Sequence, residues 1–83
     1  MAIEGYTLAT MKQGDAGVIE SINVSDPHVQ RLMVLGLVEG AEVACAGAAI
    51  GGDPIEFRLF GCGISLRQEH AKHFQVAPLA TSD

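Results

Sequence analysis

The chain has 83 residues, 48% of them apolar but only 5% aromatic, with a formal net charge of -5 and a pI near 4.9. One domain fits that length, and Val, Leu, Ile and Ala must fill its core. The few Lys and Arg residues are scattered, so the phosphate neutralisation that nucleic-acid binding needs is missing, as is the basic face of a membrane-surface helix.

Residues 1–15 are mixed: Tyr6, Leu8 and Met11 can pack, and Gly14-Asp15 marks a turn. No base precedes Lys12, which does not suit a secretory signal. Gly17–Val24 is rich in β-branched residues and reads as a first strand. Its adjacent Val18 and Ile19 predict a bulge, or burial on both faces. Ser25-Asp26-Pro27 starts a helix, with Asp26 able to accept from a first-turn amide and Pro27 suited to the first helical position. Val29, Leu32, Met33 and Gly36 recur at helical spacing on one face. Gly36 suits the left-handed position that ends a helix of roughly ten residues. Leu35 and Leu37 are expected to tuck that end onto the core.

Ala41–Ala49 reads as a second strand of small residues, and Gly51-Gly52-Asp53-Pro54 breaks it. Ile55–Phe60 alternates cleanly, with Ile55, Phe57 and Leu59 facing one way and Glu56, Arg58 and Phe60 the other. Gly61 turns the chain, and Cys62, Ile64 and Leu66 then alternate with Gly63, Ser65 and Arg67, giving a hairpin with one buried face. Arg67–His73 is one or two helical turns with Ala71 and Phe74 inward, Gln75–Pro78 a last strand, and 79–83 a frayed tail. The sum is a mainly β chain: five short strands, one inserted α-helix and a short helical turn near the C-terminus. Such strands close most easily as a small barrel.

Little in the sequence carries chemistry. The Gly51–Pro54 segment lacks the Lys-Ser/Thr of a phosphate loop and opens no helix. No serine sits in an elbow of glycines. The chain does not read as an enzyme. His70 and His73 are spaced to approach one metal on a helical turn, with Glu69 beside them and His28 or a second subunit as a source of a third ligand. No cofactor is required; a weak or adventitious divalent metal is what these ligands imply. Cys45 and Cys62 fit no zinc spacing and are expected to be buried, reduced thiols on adjacent elements. The longest uncharged stretch, 43–52, is too short and glycine-rich to cross a bilayer. A soluble cytoplasmic protein with no direct membrane insertion is expected.

The ordered set Arg31-Leu32, Leu35-Gly36-Leu37, Gly40, Glu42-Val43, Gly52-Asp53-Pro54-Ile55, Gly61, Ile64-Ser65-Leu66-Arg67, Ala71 and Val76 resembles the FeoA family, and Leu8, Gly14 and Ile19 match its opening. The resemblance covers about residues 6–78. It implies a single SH3-like domain over 1–83, with the helix inserted after the first strand. It also implies a small cytosolic accessory of ferrous-iron uptake that docks on FeoB, a membrane transporter with a G-protein domain. The chain departs from the family pattern at Glu39, where proline is frequent, and at Ala46–Ala49, where basic residues are frequent. The residues expected to meet the partner are Gln30, Arg31, Val34, Asp53, Pro54 and Phe60. Self-association would account for an exposed Phe60 equally well. The alternative reading is a transition-metal-binding or metal-sensing protein that uses His70 and His73.

Overall fold

The period-two pattern of the sequence builds β1 (Ala16–Ile22), β2 (Glu42–Ala48), β3 (Ile55–Leu59), β4 (Cys62–Leu66) and β5 (Phe74–Pro78). The structure, a computed structural model, describes residues 5–79. The five strands form one antiparallel sheet in the order β4-β3-β2-β1-β5. The barrel is loose: β4 and β5 are the sheet's two edges, and among the described residues no ladder joins them. A helical turn, α2 (Gln68–Ala71), carries the chain from one edge to the other and packs on a 3₁₀ turn at Leu8–Thr10.

Alternation decides the core. Ile55, Phe57 and Leu59 are buried while Glu56, Arg58 and Phe60 are exposed, as their spacing predicts. Phe57, Phe74, Leu8, Ile19, Leu37, Val29, Val43 and Val76 are fully buried. Truncating either phenylalanine would remove about 3–5 kcal/mol from a domain this small. The awkward Val18-Ile19 pair is followed by a shift of register between Ile19 and Ser21, the predicted bulge.

The inserted helix, α1, is Pro27–Val34. Asp26 accepts a hydrogen bond from the His28 amide at 2.8 Å, and Pro27 fills the first turn where no donor is needed. At the other end Gly36 has φ +116° and donates to Met33 O at 3.0 Å, while Leu37 donates to Leu32 O at 3.3 Å. These paired bonds are the Schellman arrangement, which satisfies the last carbonyls and turns Leu37 into the core. Leu35 does not follow it and is 63% exposed. With about 3.6 residues per turn, Val34 and Leu35 fall on the side away from Val29, Leu32 and Met33.

Two further expectations are corrected. Leu79 is not frayed, since its amide donates to Ala16 O at 3.0 Å; positions 80–83 lie outside the described residues. Cys45 is buried but Cys62 is exposed, and β3 separates their strands. Cys62 follows the turn on an edge strand, which leaves it in solvent.

Candidate functional site

Leu59 pairs with Cys62, so Phe60 and Gly61 form a two-residue hairpin loop. Both have positive φ, 54° and 80°. That geometry matches the right-handed twist of the strands and is served best by Asn, Asp or Gly. A side chain larger than these in the left-handed region costs about 1–2 kcal/mol, yet this chain holds phenylalanine there with 76% of its surface exposed. The helix exit lies alongside. Leu35 lines a small depression with Leu59, Phe60, Cys62 and Ile64, and Val38 lines a groove of about 790 Å³ with Phe60, Ala41, Arg58 and Leu79. Glu39 and Glu42 edge this groove. The hairpin tip and the end of α1 thus present a face of two largely apolar depressions that share Phe60, with Glu39, Glu42 and Arg58 around the larger one.

The residues expected to meet a partner do not gather on that face alone. Phe60 is at its centre, and Val34, 87% exposed, precedes Leu35 on the same outward side of α1. Gln30 is engaged locally, its side-chain amide donating to Val24 O at 2.8 Å. Arg31 lines a separate depression of about 220 Å³ with His28, Leu66, Arg67 and His70. Asp53 and Pro54 lie at the opposite end of β3 from Phe60, roughly 20 Å away along the strand. There the Asp53 carboxylate accepts from the Gln68 amide at 3.0 Å and faces the Arg67 guanidinium at 3.8 Å. It caps α2, whose own N-cap residue, Arg67, provides no side-chain bond. Leu35 and Val38 were missed by sequence reasoning. The helical period that put Val29 inward would have placed Leu35 outward.

The histidines form a second group. The His28 and His70 rings lie 4.7 Å apart, tilted by 31°. His28 Nδ1 is 3.5 Å from Asp26 Oδ1. One ligand atom from each of Asp26, His28 and His70 lies within 4.8 Å of the others. The His28 amide, donating to Asp26, holds that carboxyl below the usual 3.8, and the neighbouring His28, His70 and His73 act in the same direction. His73 lies beyond the end of α2 and lines a different depression with Ile22, Lys72 and Gln75. Glu69 is exposed and outside the group. The structure therefore brings together two of the four residues singled out in the sequence and adds Asp26. The sequence marked Asp26 only as a cap, although an acid two residues before a histidine at a helix start was visible.

These features sit on a chain with clear relatives. The FeoA domain model matches residues 6–78. No curated protein matches. Among solved structures, the FeoA-like protein of Clostridium acetobutylicum is 32% identical with a TM-score of 0.82, over 98% of this chain and 94% of that one. FeoA from Chlorobium tepidum is 36% identical with a TM-score of 0.81, over 93% and 73%. FeoA from Stenotrophomonas maltophilia, solved with zinc and described as a prokaryotic SH3 domain protein, is 30% identical with a TM-score of 0.74, over 84% and 87%. With a family model spanning nearly all of its described residues and the same fold in these relatives, the chain belongs to the FeoA family.

Proposed function

We propose that this protein is an accessory of ferrous-iron uptake that acts by docking on the cytosolic part of a FeoB-type membrane transporter and turns over no substrate. The family is associated with ferrous-iron transport, and the Stenotrophomonas relative is described as a proposed activating factor for it. The observation that carries the docking reading is Phe60. A phenylalanine kept exposed, in a backbone conformation that favours glycine or asparagine, works against the stability of the free protein. A gain made on binding offsets that cost, and exposed aromatics are frequent anchors of interfaces. Leu35 and Val38 extend the anchor into a face. Glu39 and Glu42 outnumber Arg58 around the larger depression, which favours a neutral or weakly basic partner surface.

No helix of the described residues is long and apolar enough to cross a membrane. Val34 flanks the face on α1 and extends it; Arg31 lines a separate depression, and Asp53 caps α2 at the far end of β3.

The test is copurification with the transporter from native membranes, paired with rescue of ferrous uptake in a deletion strain. The Phe60→Asn variant should fold, fail to copurify and rescue poorly. Wild-type copurification and rescue by that variant would overturn the reading. So would sedimentation showing that a stable dimer of the free protein covers Phe60.

A further inference from the structure

We propose that Asp26, His28 and His70 form a binding site for a single divalent first-row transition-metal ion, which ties the start of α1 to α2. The donor set is two imidazoles and a carboxylate, which suits ions such as ferrous iron, cobalt and zinc and is poor for magnesium or calcium. The site is independent of the docking face: it lies with Leu66 and Arg67 at the end of β4 remote from the hairpin tip.

Geometry brings the three ligands together. His28 and Asp26 are held by the helix start, where the His28 amide donates to Asp26 Oδ1. His70 arrives from α2, after three more strands of chain, and its ring lies beside that of His28. The ligand atoms fall within 4.8 Å of one another. Bonds of about 2.0–2.2 Å place tetrahedral donors roughly 3.3–3.5 Å apart, so closure needs movements on the order of 1 Å. Exposed side chains make such movements by small rotations about χ, and the His28 side chain is 60% exposed. Water fills the remaining positions, because the group opens into a shallow depression.

Two features act against the site and limit its affinity. The N-terminus of α1 carries partial positive charge, which disfavours a cation; the Asp26 carboxylate at the same point offsets it. Arg31 and Arg67 line the same depression. Arg67 also faces Asp53, which draws part of its charge away from the histidines. The same two arginines could attract an anion, but the Asp26 carboxylate among the histidines opposes one. The structure therefore favours a cation held by three protein ligands.

His73 makes the assignment testable. It belongs to a different depression, so it reports whether binding is specific to the cluster or shared among all histidines. Calorimetry with zinc, with ferrous iron under anaerobic conditions, and the visible bands of cobalt would be measured on the full chain. One ion per chain is expected. His28→Ala and His70→Ala should each weaken binding by about tenfold or more, the range over which even supporting residues act. Asp26→Asn should do the same while keeping the helix cap, since asparagine caps as well as aspartate. His73→Ala should leave affinity unchanged. Metal should raise the melting temperature of the wild type and not of the His28→Ala/His70→Ala double variant. Absence of binding by all three ions, binding retained by the double variant, or equal loss in His73→Ala would each overturn the proposal.

Discussion

Gly36 and Phe60 approach so closely that a Cβ on Gly36 would lie 3.1 Å from Phe60 Cε2 and 3.3 Å from Leu59 Cδ2. The stop of the inserted helix and the tip of the β3–β4 hairpin are therefore packed as one unit. A residue of φ +116° also favours glycine on its own account. Gly36→Ala should destabilise the protein by about 1–2 kcal/mol, from backbone strain alone. It should also push the Phe60 ring from its position. Chemical denaturation measures the first effect, and a shift of the Phe60 ring resonances measures the second. A variant as stable as the wild type would show that this contact is not a constraint.

Phe60→Asn separates stability from binding. Asparagine suits the first position of a two-residue hairpin loop with positive φ. The variant should gain up to about 1 kcal/mol, since the left-handed penalty falls and little buried surface is lost. The urea midpoint should rise while transporter binding falls. A lower midpoint would mean that the ring packs on Leu59 and Gly36 more than its exposure indicates.

The elements were largely legible because local rules decide them. The alternation of Ile55, Phe57 and Leu59, the Asp26-Pro27 start and the Gly36 stop each follow from neighbours within a few residues, and each stands in the structure. The site was less legible, because its contacts depend on tertiary approach. Nothing in the spacing of His28 and His70 announces that α2 lays one ring beside the other. The spacing of His70 and His73 suggested a helical pair, but α2 ends at Ala71 and His73 departs toward another surface. Nor does the Gly52-Asp53-Pro54 turn announce that the Asp53 carboxylate accepts from the Gln68 amide, 15 residues further on.

The two thiols should differ sharply. Cys45 is buried, with Sγ 3.7 Å from Met11 O, whereas Cys62 is exposed and shares a depression with Leu35 and Phe60. In the folded protein a maleimide should label Cys62 fast and Cys45 only on unfolding. Docking through the apolar face should slow the labelling of Cys62 several-fold; the free protein provides the reference rate. Unchanged labelling in a purified complex would place the interface elsewhere.

Asp53→Ala tests the cap from across the chain. Loss of the acceptor for the Gln68 amide should cost about 1 kcal/mol, the usual value for a helix cap. Asp53→Asn should recover most of it. Neither change should alter copurification with the transporter, because the cap lies at the far end of β3 from Phe60. A binding loss in Asp53→Asn at preserved stability would return Asp53 and Pro54 to the interface.

Tyr6 gives the pH dependence. It is the single tyrosine in a chain without tryptophan, so its ionisation is read directly from ultraviolet absorbance. Burial raises its phenol above the ordinary 10.0, and the Asp15 carboxylate, 3.5 Å from the hydroxyl, adds to the rise by charge and by hydrogen bonding, with a smaller part from Cys45. The fold thus holds this proton more tightly than the unfolded chain. The associated stability is complete below pH 10.0 and is lost as pH rises through the folded value. Tyr6 is part-buried against the core, and its titration midpoint measures the shift directly. Asp15→Asn should bring the midpoint down toward 10.0 without reaching it, because burial is the larger cause and survives the substitution. Asp15 Oδ2 also accepts from the Lys12 amide at 2.9 Å, a bond that the asparagine oxygen can keep, so the turn should persist. Circular dichroism across the titration checks that the fold does. A midpoint unchanged by the substitution would remove Asp15 as a cause, and one falling to 10.0 would remove burial.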